Sequence, residues 1–140
     1  MYILTVSMQE LVRKIHPIWF LRIGFGVMFA YSGVDLIRHP WNWYGFMPQW
    51  LVYGITRIVL MDTYLRIQGA VELAIALLLL LWFLPRWALR LGAAFASLEL
   101  LLITLVVGID LITFRDLGLL GAALALLVAS FTQHETFQHS

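Results

Sequence analysis

The chain has 140 residues, of which 62% are hydrophobic and 12% charged, with a formal net charge of +1 and no cysteine. That charged share is about half the value for a soluble domain, and so small a net charge gives no ground for a nucleic-acid partner or an acidic substrate. The lack of cysteine removes disulfides, thiolate metal sites and thiol relays from the chain's own chemistry.

Residues Leu4, Met8, Leu11 and Ile15 recur at helical spacing, with Gln9, Glu10, Arg13 and Lys14 between them. This predicts either a short amphipathic helix on the membrane surface or an irregular solvated tail, ahead of Pro17. No small-residue cleavage pattern follows, and the next apolar run contains Arg22, so it reads as a retained span and not as a signal-peptide core.

Four apolar stretches, 18–37, 64–84, 87–110 and 116–132, are predicted to cross a bilayer. At about 1.5 Å per residue, roughly 20 helical residues match a hydrocarbon layer of about 30 Å. The expected fold is therefore all-α, a single-domain integral membrane four-helix bundle. Between spans one and two lies an interfacial segment, 38–63, containing Trp41, Trp43, Tyr44, Trp50 and Tyr53, rings that favour the membrane boundary. Its second half, 49–61, is apolar but too short to span, which predicts a surface or re-entrant helix. The remaining connections are short, so successive spans are expected to be antiparallel neighbours.

Arg13, Lys14, Arg22, Arg86 and Arg90 fall on the side of the termini, against Arg38, Arg57, Arg66 and Arg115 on the side of the long connection. The positive-inside rule then expects cytoplasmic termini in a cytoplasmic membrane, by a narrow margin. A weak internal echo pairs Gly33 to Ile37 with Gly108 to Ile112. A parallel repeat of two helices and chance both account for it.

Each span carries small residues at helical spacing: Gly26, Ala30 and Gly33; Gly69 and Ala76; Gly92 and Ala96; Gly118, Ala122, Ala125 and Ala129. Such stripes let helices approach closely in lipid, where apolar side chains gain little by leaving one another. Glu72 and Glu99 lie on these stripes, Glu99 close to the midplane and Glu72 about 12 Å below the end of its span. Each is expected to be protonated, hydrogen-bonded or paired with arginine. They are either a proton-handling or ligand-contacting pair or interhelical hydrogen-bond glue. Gln68, one turn before Glu72, is its expected local partner, and Arg22 is expected to snorkel to the headgroups.

A second polar set, Asp35, Arg38, His39, Arg66, Asp110, Arg115 and Asp116, gathers at the connection side. It reads as a capping and salt-bridge cluster or as the rim of a ligand site, with Asp116 expected to cap the fourth span. His16, His39, His134 and His139 lie at or beyond span ends, so neither haem nor a metal centre is expected. No nucleophile, metal motif or cofactor motif supports catalysis by the chain alone.

Several features in order resemble the DoxX family of small four-span membrane proteins, over nearly the whole chain. They are the first span from Arg22 to Gly33, His39 and Pro40 followed by Trp43, Gly45 and Pro48 to Leu51, the Gly69 to Glu72 opening of span two, and Arg115 to Leu120. The resemblance implies Arg22, Glu72, Arg115 and Asp116 as family-type polar positions, with no catalytic role assigned to any of them. Some members are linked to quinone-coupled oxidation of sulfur compounds or to redox and oxidative-stress complexes. The expectation that follows is an accessory subunit of a larger, quinone-linked membrane assembly, with the bilayer and other membrane subunits or self-association as partners. The alternative is a free-standing small-molecule (quinone or lipid) or proton-path protein using Glu72 and Glu99.

Overall fold

A computed structural model describes residues 17–109 and 113–132. The amphipathic amino-terminal segment, Asp110, and His16, His134 and His139 lie outside the described residues, as does part of the Gly108 to Ile112 echo. Among the described residues all regular structure is helical: α1 (Pro17–Arg38), a 3-10 helix (Pro40–Phe46), α2 (Gln49–Thr56), α3 (Met61–Leu80), α4 (Arg86–Val107) and α5 (Phe114–Thr132). Four of these, α1, α3, α4 and α5, are long and apolar enough to cross a membrane. The chain is a small multi-pass integral membrane protein.

Prolines and one glycine set several of the boundaries. Pro17 opens α1, where its missing N–H costs nothing. Pro40 keeps His39 out of the helical region (φ −132°, ψ 57°) and so ends α1. Pro48 and Pro85 hold extended backbone directly before α2 and α4. At the end of α4, Gly108 adopts φ +83°, a left-handed conformation open to glycine at little cost.

Two boundaries differ from the hydropathy reading. The second span runs Met61–Leu80, not 64–84, because Leu81 to Leu84 turn back ahead of Pro85 although they are apolar. Trp82 and Phe83 in this turn are exposed and meet edge to face at 6.3 Å, a placement suited to the headgroup layer. The third span ends at Val107, not at 110. The interfacial segment holds one eight-residue helix, α2, with no buried residue. Its length of about 12 Å is far short of a span.

The spans form a ring in which α1 packs most extensively on α3, α4 on α5, and α3 on α4, with a slimmer α1–α5 contact closing it. Phe25, Phe29, Ile75, Leu79, Ala93, Ala96, Leu100, Ala123 and Leu126 fill its centre. At the connection end Leu36, Met61 and Leu65 bury against Trp43, Met47, Val52 and Ile55, which fastens the 3-10 helix and α2 to α1 and α3.

The small stripes behave as expected in α1, α3 and α4 and differently in α5. There the buried residues are Ala123, Leu126 and Ser130, while Gly118 has open space where a Cβ would stand. The reason is that α5 packs with a leucine-bearing face and needs no close backbone approach. Between α1 and α3 the approach is close: a Cβ on Gly33 would lie 2.8 Å from Gly69 O, and one on Gly69 would lie 2.7 Å from Gly33 O. No side chain fits at either position without moving backbone.

Gly69→Ala is accordingly expected to destabilise the bundle by about 2 kcal/mol, the cost of overpacking a close contact. Gly118→Ala should be neutral or slightly stabilising through helix propensity. Reversible unfolding of both variants in mixed micelles checks this, and equal stability of the two would refute the α1–α3 contact as described.

Candidate functional site

The α1–α3 contact sets the positions of the polar groups inside the bundle. Ser32 precedes Gly33, Gln68 precedes Gly69, and Glu72 follows Gly69 by one helical turn. Antiparallel packing places Ser32 Oγ in hydrogen-bonding contact with Glu72 Oε2. The same Oγ also lies 3.1 Å from Met28 O. Glu72 is buried, with 7% of its surface exposed.

From α4, Glu99 enters at the same level. Its Oε1 accepts a hydrogen bond from Gln68 Nε2 at 2.6 Å, and its carboxyl group interacts directly with that of Glu72. Glu99 Oε2 is buried and has no hydrogen-bond partner. Two expectations are corrected by this geometry. Gln68 serves Glu99 across the helix interface and not Glu72 on its own helix, which meets Ser32 of α1. The two carboxyls also share one depth: Glu72 stands about 16 Å along α3 from Met61 and Glu99 about 12 Å before Val107, at about 1.5 Å per residue. The result is a four-residue polar cluster drawn from α1, α3 and α4, with Glu72 buried and Glu99 only partly so.

Arg22 is not part of this cluster. Its Nε donates to Leu79 O at 2.8 Å and its second guanidinium nitrogen to Leu81 O at 3.3 Å, while its Cζ lies 4.4 Å from the Trp19 ring centroid. A cation is thereby placed on carbonyls at the carboxyl end of α3, where the helix dipole favours it. Arg90 repeats the arrangement, with Nε donating to Ser130 O at 3.3 Å and Cζ 4.6 Å from the Phe131 ring.

At the connection end the expected polar set resolves into smaller groups. Asp35 accepts from Trp43 Nε1 at 2.9 Å and pairs with His39 Nδ1 at 3.0 Å, and the His39 ring stands edge-on to Trp41 at 5.5 Å. Tyr44 donates to Asp62. Arg38 and Arg66 are exposed. Helix α5 opens at Phe114, so Asp116 lies in its first turn and does not cap it; the acid still favours the positive end of the helix dipole. Arg115 is exposed in the same turn. Ser32, Trp43, Tyr44 and Asp62 were not among the sequence candidates. The one available signal was for Ser32, a hydroxyl beside a packing glycine.

Two outcomes test this description. A double-mutant cycle on Gln68→Leu and Glu99→Leu should give a coupling of about 1 kcal/mol, in the range of interhelical hydrogen bonds in membranes; additive effects would remove the α3–α4 bond. The Tyr44 phenol is pushed above its ordinary pKa, first by its hydrogen bond to Asp62 and then by desolvation. A raised phenol pKa means the contact is intact below the ordinary tyrosine range and is lost as pH rises through the folded value. An ultraviolet phenolate titration should therefore show one tyrosine released to a lower pKa by Asp62→Asn, and an unchanged titration would exclude the contact.

Compared with known protein families, curated proteins and solved structures, the chain matches none.

Proposed function

We propose that the chain supplies an intramembrane proton-holding and ligand-binding site, centred on Glu72 and Glu99, to a larger membrane assembly. The observation that carries this reading is the direct approach of the Glu72 and Glu99 carboxyl groups, in which the buried Glu99 Oε2 receives no N–H or O–H donor and is left to a carboxyl proton. Packing glue alone gives no reason to leave such an atom unmatched, since an unsatisfied buried acceptor costs about 1–3 kcal/mol.

Charge balance makes the cluster a proton holder. Among the described residues no arginine, lysine or histidine forms an ion pair or side-chain hydrogen bond with Glu72 or Glu99, and two touching carboxylates repel each other strongly. A proton shared between the two carboxyl groups removes that repulsion, while the Ser32 hydroxyl donates to Glu72 Oε2. Glu99 is partly exposed on α4, so a molecule arriving from the lipid meets its side chain, but the buried Oε2 is reached only when that side chain moves.

A carboxyl oxygen opened in this way suits a hydroxyl donor on an apolar molecule, which fits the quinol end of the quinone chemistry that the DoxX resemblance implies. A bound quinone would supply two-electron carrier chemistry. Glu99 would hold its polar end, and the Glu72–Glu99 pair would take or give the accompanying proton. The chain has no cysteine, so electrons would come from a partner subunit, in keeping with an accessory role. Basic residues on the termini side support cytoplasmic termini in a prokaryotic-type cytoplasmic membrane.

Gentle extraction followed by mass spectrometry of the co-purifying chains and small molecules tests the proposal. The expected result is a complex with larger subunits and a retained quinone, with quinone retention reduced about tenfold by Glu99→Gln as an acceptor is replaced by an amide donor. A lone bundle carrying quinone would keep the site and remove the accessory role. A chain that carries no quinone, or carries it equally well as Glu99→Gln, would overturn the site.

A further inference from the structure

The four spans are packed tightly along only part of their length. α4 buries no residue beyond Leu100, and α5 none before Ala123. The central core therefore lies on the termini side of the two glutamates, where Ala76, Leu79, Ala93 and Leu126 are 2% exposed or less. Toward the connection side, Ile103 and Val107 continue the inward line of Ala96 and Leu100 along α4, yet both are only half-buried, as is Leu119 on the inward line of Ala123 in α5. α1 and α3 stay buried up to Leu36 and Met61, but in a cluster with the 3-10 helix and α2 in which α4 and α5 have no described member. The pair α1–α3 and the pair α4–α5 thus part above the glutamates.

The seam so left between α3 and α4 carries polar groups. Gln68, about 10 Å along α3 from Met61, reaches across it to Glu99. Tyr64 stands one turn nearer the connection end on the same face of α3, and Tyr64, Gln68 and Glu99 are all half-buried. Tyr64 and, in the first turn of α5, Asp116 are the titratable groups on the inward faces above the pair, while α1 turns Asp35 and Arg38 outward to its groove. On the termini side the hydroxyls of Ser97 and Ser130 are turned to their own helices, donating to Ala93 O at 2.8 Å and Leu127 O at 2.6 Å. A buried water needs two to four polar partners, and the seam offers a phenol, an amide and a carboxyl group where the packed half offers alanine and leucine. We propose that the seam admits water to the glutamates, so that the Glu72–Glu99 pair exchanges its proton with the connection side of the membrane alone. This rests on the proton-holding reading and gives it a direction.

The chain has no cysteine, so single introduced cysteines report access without background. Full-length variants in lipid vesicles are treated from one face at a time with a charged, membrane-impermeant thiosulfonate. Arg57→Cys marks the connection side and Arg86→Cys the termini side, both positions being exposed. Gln68→Cys should react only from the Arg57 side. Ile67→Cys, at the same depth but 58% exposed on the outer face of α3, should react from neither side, and neither should Ala76→Cys in the packed half. The proton itself is followed by the deuterium shift of the protonated-carboxyl infrared band in heavy water. A bulky thiol reagent on Ile103→Cys, which plugs the seam, should abolish that shift over the time in which the unlabelled variant completes it, and the same reagent on Arg57→Cys should leave it unchanged. The inference alone is overturned if Gln68→Cys reacts from neither side or from the Arg86 side, if Ile67→Cys or Ala76→Cys reacts as readily as Gln68→Cys, or if the deuterium shift survives the plug. A carboxyl band missing from the unlabelled protein would overturn the proton-holding reading as well.

Discussion

The contact between Gly33 and Gly69 is the constraint on which the interior depends. In lipid, apolar side chains gain little by meeting one another, so close van der Waals packing has to hold the helices together. Carbonyl oxygens of α1 and α3 stand where the missing Cβ atoms would be. That closeness puts the short side chain of Ser32 within reach of Glu72. On the neighbouring turn of α3, Gln68 is left to point its amide at Glu99 of α4. One backbone approach thus fixes three helices relative to a single polar cluster.

The same logic orders the charged groups. Arg22 and Arg90, which would be costly inside the hydrocarbon, are spent on carbonyls at the carboxyl ends of α3 and α5 and are covered by aromatic rings. The two tightest helix pairs, α1 with α3 and α4 with α5, are therefore locked in the same way, by an arginine on the first helix of the pair holding the end of the second. With Arg22 and Arg90 committed there, no ion pair reaches the two carboxyl groups among the described residues, and the proposed proton-holding role rests on this separation.

Much of the fold is legible in the sequence because hydrocarbon thickness and helical rise together fix how many apolar residues make a span. The four spans, the short interfacial helix and the inward placement of Glu72 all follow from length, spacing and small-residue stripes. The stripe rule misleads for α5, where Gly118 meets nothing, because a periodic pattern marks a possible close approach without naming a partner helix. Apolar content also overextends α3, since Leu81 to Leu84 are hydrophobic yet obey the proline that follows. The site was half visible. Glu72, Glu99 and Gln68 stand out as polar residues on packing faces, but a sequence shows neighbours on one helix only. The pairings that define the cluster, Ser32 with Glu72 and Gln68 with Glu99, run between helices and depend on relative depth, which hydropathy locates no better than a turn.

The most direct test of this picture is the infrared carboxyl spectrum of the protein reconstituted in lipid at neutral pH. A proton held between Glu72 and Glu99 requires a protonated-carboxyl C=O band that disappears when both residues are replaced by glutamine. If wild type and the double variant give the same spectrum, with no such band in either, both glutamates are ionised and the cluster does not hold a proton.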